Sequence, residues 1–120
     1  RATGEPISML NLLKFKDKAE YEDGRECNLS GREAYQLYGE GFSEVMEPKG
    51  CRIIYSGEVR GFLIGEGEGA WDAIAVIEYP STQIMLDMFR DEDYQKVQVH
   101  RVAALEGQML IECGPGFSFS

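Results

Sequence analysis

Residues 7–15, ISMLNLLKF, constrain the fold most, because polar side chains interrupt this run only at Ser8, Asn11 and Lys14. The run is far shorter than the roughly 20 apolar residues of a membrane span. It is also apolar at nearly every position rather than at every second one. Such a segment reads as a strand buried on both faces. Alternation puts Ile7, Met9, Asn11, Leu13 and Phe15 on one face, and Ser8, Leu10, Leu12 and Lys14 on the other. Any architecture for this chain therefore has to cover two sides of its first strand.

Residues 16–29 are charge-dense and broken by Gly24, so they read as a loop with room for one helical turn, long for a mere connection. Ser30-Gly-Arg-Glu33 is a capping box, in which hydroxyl and carboxylate satisfy orphan N–H groups reciprocally. It opens a helix that runs to about Glu47 and stops at Pro48 and Gly50. Ala34, Tyr35, Leu37, Tyr38, Phe42, Val45 and Met46 form its apolar stripe. Gly39 and Gly41 each lower its helix propensity by about 1 kcal/mol; either they are tolerated, or they admit another backbone or a ligand.

Residues 51–62 alternate as a second strand, with Gly57 a candidate bulge, and 63–69 read as a hairpin loop. Residues 70–79 form a third strand, nearly apolar, with Asp72 and Glu78 on the face of Ile74 and Val76. Pro80-Ser81 ends it and caps a helix over 82–89; Asp91 caps a second helical piece over 92–106, stopped by Gly107. Residues 108–113 make the last strand, and GPGFSFS is a tail.

This β-α-β-β-α-β order predicts an α+β, ferredoxin-like domain spanning 1–120 with its core in 7–113. It implies a four-stranded antiparallel sheet with the helices on one face. Strands one and three are apolar on both sides, so the helix-free face needs a cover too. The simplest cover is a second copy stacked through the sheet faces, a homodimer closed as a dimeric α/β barrel.

Charge narrows the partners. With Lys+Arg 12 against Asp+Glu 21, the chain carries a formal charge of −9, which argues against nucleic acid and anionic membrane, both of which reward positive charge. Cys27, Cys51 and Cys113 include no close pair, so neither a disulfide framework nor a zinc ligand set is expected, and a reducing cytoplasm is the expected setting. His100 is the single histidine, so no metal site is expected. No segment carries the charged and apolar pattern of a signal peptide, and the sequence opens on Arg1 rather than Met, as a chain with residues missing upstream does. The Gly-Glu-Gly-Glu-Gly run at 65–69 precedes a strand and carries two carboxylates but no lysine, which argues against a phosphate cradle and for a hairpin tip.

Asn11, Asp72, Glu78 and Arg101 are polar residues where the pattern expects apolar ones. Arg101 shares a helical stripe with Tyr94, Val97, Ala104 and Leu105. A half-buried guanidinium needs a counter-charge. Asp72, Glu78 or an anionic ligand oxygen are the candidates, and a structural ion pair is the commoner use. His100 is the one group that ordinarily titrates near neutrality, suiting general acid–base work, although solvent-facing histidines are commoner. Tyr35 and Tyr38 lie three apart and face the sheet, where tyrosines are more often core than catalyst. Trp71, Tyr55, Tyr79 and Phe89 line an aromatic-friendly cavity or simply fill the core.

Several stretches are familiar together: Met9-Leu10-Asn11-Leu12-Leu13-Lys14-Phe15, Lys18-Ala19-x-Tyr21, Ala34-Tyr35-x-x-Tyr38, Trp71-Asp72, Glu78-Tyr79-Pro80-Ser81, and Asp93-Tyr94-Gln95 with Arg101 beyond. As a set they resemble a bacterial family of uncharacterised small proteins, a domain of unknown function within the dimeric α/β-barrel superfamily. That superfamily is similar in fold to antibiotic-biosynthesis monooxygenases and muconolactone isomerase. The resemblance implies a homodimer with a pocket between sheet and helices for a small aromatic or enolisable molecule, and cofactor-free isomerase, monooxygenase or lyase chemistry. The positions it marks are Asn11, Lys14, Tyr35, Tyr38, Asp72, Tyr94 and Arg101. Joined to the residue chemistry, it gives a working expectation. Arg101 holds an anionic oxygen, Tyr38 or Tyr35 hydrogen-bonds it, and Asp72 or His100 moves a proton. Asn11, Lys14, Tyr35, Trp71 and Tyr94 contact the ligand, and no cofactor is required. The alternative is a non-catalytic ligand-binding or structural homodimer.

Overall fold

The apolar run forms β1 (Ile7–Phe15) in the computed structural model, which describes residues 4–66 and 71–114. Its predicted two-sidedness is realised: Ile7, Met9, Asn11 and Leu13 are buried, and Leu10 and Leu12 on the opposite face are half-buried. β2 (Arg52–Glu58), β3 (Ala73–Tyr79) and β4 (Leu105–Cys113) complete one sheet in the order β2-β3-β1-β4, every pairing antiparallel. The apolar strands thus hold the centre and the polar ones the edges.

α1 (Gly31–Met46) begins at the predicted capping box: Ser30 Oγ accepts from the Glu33 N–H at 3.0 Å, and Glu33 Oε1 accepts from the Ser30 N–H at 2.8 Å. A short 3-10 turn, Glu47–Lys49, closes on Gly50, whose φ of 93° suits glycine alone. α2 (Thr82–Met88) and α3 (Glu92–Ala104) are capped by Ser81 and Asp91. The helices cover one face of the sheet, and Tyr38, Phe42, Met46, Met88 and Tyr94 pack on Ile7, Met9, Ile77 and Tyr79. The chain measures 48 × 40 × 21 Å, two layers thick.

Four local expectations are corrected. The extra residue in β2 is Ile54, between Ile53 and Tyr55, while Gly57 stays in the ladder opposite Ile74. A Cβ at Gly57 would meet the Tyr55 ring, which is exposed and would have to turn aside. β2 ends at Glu58 and β3 starts at Ala73, because the ladder closes where the Val59 N–H meets the Asp72 carbonyl at 2.9 Å. α3 stops at Ala104, short of Gly107, because pairing with β1 draws Leu105 into β4. Residues 16–29 hold no helix; they are pinned by backbone bonds from Lys16 to Ala104 (2.8 Å) and Glu20 to Ala103 (3.0 Å), with Ala19 and Tyr21 buried. Most of the 65–69 run, Ala70 and the tail beyond Gly114 lie outside the described residues.

The helix-free face carries Leu10, Leu12, Ile74 and Val76 at its centre and Tyr55, Met109 and Ile111 toward its edges, the last three exposed. No described helix or loop covers it. Among the described residues, no helix is long and apolar enough to cross a membrane.

Candidate functional site

β1 and β2 both run antiparallel to β3, so their C-terminal ends, the start of β3 and the start of α1 meet at one end of the sheet. A cavity of about 740 Å³ opens there between α1 and the β2–β3 half of the sheet. Small residues make the room: Ala73 and Ala75 on the floor, and Gly39 on the helix above. Leu13, Ile77 and Phe42 complete an apolar interior; Arg32, Gln36, Glu40, Ser56 and Glu58 are exposed polar residues of the lining, and Ser43 is a half-buried one. The Arg32 guanidinium sits over the Phe15 ring, 4.9 Å from its centroid.

Two tyrosines one helical turn apart line the cavity, with ring centroids 5.3 Å apart. Their hydroxyls differ. Tyr38 Oη lies 2.9 Å from Tyr94 Oη in a buried pair, and burial first, then Tyr94, raises the Tyr38 hydroxyl well above its ordinary value. Tyr35 makes no hydrogen bond with any described residue. Its oxygen is not sealed in, since no buried side-chain polar atom there lacks a partner. Burial pushes the Tyr35 hydroxyl up to about 12, and the Arg101 charge opposes that rise. A largely buried tyrosine hydroxyl ordinarily has a partner.

Arg101 lies behind this wall, half-buried. Its Nη1 donates to Gln108 Oε1 at 2.6 Å; Gln108 Nε2 donates to Asn11 Oδ1 at 2.9 Å; and Asn11 Nδ2 donates to the Met9 and Ala75 carbonyls, each at 3.2 Å. The partner of Arg101 is therefore a neutral amide. Neither expected carboxylate reaches it: Asp72 accepts from the Phe15 N–H at 2.8 Å at the end of β1, and Glu78 pairs with Arg52 at 2.8 Å.

His100 is held elsewhere, its Nδ1 2.7 Å from Tyr21 Oη in the 16–29 loop. Burial first, then the charge of Arg25, lowers its pKa. Lys14 lies on the helix-free face opposite Gly107, and half-buried Trp71 precedes β3; neither lines the cavity. The fold thus brings together Tyr35, Tyr38 and Tyr94, with Arg101 acting on Tyr35, and leaves Asp72, His100, Lys14 and Trp71 apart. Gln36, Glu40, Ser43, Ser56 and Glu58 are lining residues that sequence reasoning missed. Gly39 and Gly41 on either side of Glu40 were the available signal.

No group of three or more His, Cys, Asp or Glu side chains that could hold a metal ion occurs among the described residues.

The fold and sequence have relatives. Two crystal structures of RPA0582, described as a protein of unknown function from Rhodopseudomonas palustris, superpose with TM-scores of 0.87 and 0.86 at 36% and 34% identity. They cover 100% and 98% of this chain and 87% and 88% of theirs. A hydroxynitrile lyase from Passiflora edulis shares the fold at 10% identity with a TM-score of 0.63, covering 98% of this chain and 100% of its own. A dimeric ferredoxin-like protein of unknown function from Thermobifida fusca does so at 12% with a TM-score of 0.58, covering 94% and 93%. No curated protein matches. The sequence profile of DUF1330, a domain of unknown function, matches residues 24–114, and with RPA0582 at this identity the chain belongs to that family.

Proposed function

We propose that the cavity binds an uncharged, small aromatic or enolisable carbonyl compound, and that the chain works as a homodimer. The observation that carries this reading is the hydroxyl of Tyr35, on the wall of an apolar cavity and without a hydrogen-bond partner among the described residues. Burial pushes that hydroxyl up to about 12, so it carries its proton at neutral pH and can donate it to a ligand carbonyl oxygen. The guanidinium of Arg101 behind it stabilises negative charge developing on the same oxygen, as in an enolate. Glu40 and Glu58 are the carboxylates of the lining able to take a proton from the adjacent carbon; Asp72 and His100 are engaged elsewhere.

The test uses prodan, a neutral aromatic ketone whose emission shifts to the blue out of water. Saturable binding with blue-shifted emission is expected, and Tyr35→Phe weakens it by about five- to tenfold, the worth of one hydrogen bond. An unchanged affinity in that variant overturns the reading. A non-catalytic binder is the second reading, favoured because no histidine lines the cavity. Deuterium exchange at the α-carbon of phenylacetone, faster with wild type than with Glu58→Gln or Glu40→Gln, separates the two.

The dimer is supported by the uncovered apolar face and by the dimeric description of the Thermobifida neighbour. Sedimentation at micromolar concentration is expected to show a dimer, and Met109→Glu a monomer. Monomer alone in the wild type overturns this part.

A further inference from the structure

The connection that leaves the sheet at Glu58 starts from a residue lining the cavity and returns to another, Ala73. Within it stand the two most exposed large apolar side chains of the described residues, Leu63 at 102% and Ile64 at 95%, beside Phe62 at 49%. No described residue covers Leu63 or Ile64. Two glycines bracket the three: Gly61 with φ 154° and Gly65 with φ 97°, neither with any atom near an added Cβ. Such backbone is strained for other residues and costs glycine little, so these two positions can absorb a change in the direction of the segment between them.

We propose that Phe62 and Leu63 form a lid that folds over the cavity mouth and supplies its missing apolar wall. The inference rests on the cavity being a binding site. Geometry favours the chain's own mouth as the place they dock. The arm emerges at the end of the sheet where the cavity opens. From Glu58 to Leu63 five residues span up to about 17 Å, more than the roughly 10 Å between packed layers, and α1 carries Gln36 on the far side of the cavity. That rim is polar and exposed while the interior is apolar, so an open mouth leaves a neutral aromatic ligand wetted on one side. Closure would bury the ligand and the exposed side chains together.

Closure is tested without a ligand by pairing Leu63→Cys with Gln36→Cys in a Cys113→Ser background, since Cys113 is exposed. In a glutathione redox buffer an intramolecular disulfide is expected, seen by mass spectrometry of the non-reduced digest and formed faster with prodan. No cross-link, or one only between chains, overturns the lid; the latter assigns the arm to a second copy. In a second arm, Phe62→Ser/Leu63→Ser is expected to weaken prodan binding about tenfold and shift its emission to the red, with the dimer unchanged. Unchanged affinity and emission in that variant, with the Tyr35→Phe loss intact, overturn the lid and leave the cavity reading standing.

Discussion

Gly41 of α1 lies directly against Val97 of α3: a Cβ at Gly41 would stand 2.8 Å from both γ-carbons of Val97. The missing side chain lets the two helices approach. Gly39, two residues earlier, has nothing within 4 Å of such a Cβ, and it lines the cavity. Gly41→Ala is expected to destabilise the fold by about 1–3 kcal/mol through overpacking. Gly39→Ala is expected to stabilise it by about 0.5–1 kcal/mol through helix propensity. Urea unfolding of the two variants checks both signs.

The Tyr38–Tyr94 hydroxyl pair calls for a double-mutant cycle. Tyr38→Phe or Tyr94→Phe alone leaves one buried hydroxyl without its partner and is expected to cost about 1–3 kcal/mol. The double variant removes both groups and is expected to cost less than the sum of the singles. Additive losses in denaturant unfolding would show that the 2.9 Å contact carries no coupling.

His100 sets a pH dependence. Its folded pKa lies below the unfolded value of about 6.5, through burial and then Arg25, so the unfolded chain takes up the proton first. Its contribution to stability is complete above that unfolded value and is lost as pH falls through the folded one. Melting temperatures measured across this mildly acidic window should fall for the wild type and fall less for His100→Gln. An identical slope in the variant would show that other groups govern the acid limb.

Asn11 sits in the sheet as a buried amide with every polar atom engaged, giving to the Met9 and Ala75 carbonyls and receiving from Gln108. Asn11→Leu keeps the volume and strips the bonds, orphaning the Gln108 amide. A loss of about 1–3 kcal/mol is expected in chemical denaturation, and Gln108→Leu on the same background should add little.

What could be read in advance was what neighbours in sequence decide. The box at Ser30 and Glu33 is closed by two atoms three residues apart, and the ends of β1 are marked by the polar segments around it. Where pairing between distant segments decides, local pattern misleads. Gly57 looks like the bulge, yet the register with β3 places it at Ile54. Gly107 looks like a helix stop, yet β1 claims the chain two residues sooner. Arg101 falls on an inward stripe, as its spacing predicts, but its partner is Gln108, seven residues on in a different element, and not a carboxylate. The cavity is harder still to foresee, since Glu40, Ser56 and Glu58 become neighbours only when α1 settles over β2.

Leu105 is at once the cap of α3, its N–H bonded to the Arg101 carbonyl, and the first residue of β4. Helix and strand therefore share a residue and have no connector between them. A single inserted residue would turn the helix by about 100° or send every β4 side chain to the opposite side. The stretch from Asp91 to Cys113 is consequently a segment of fixed length. Variation in chain length within the fold has to be absorbed elsewhere.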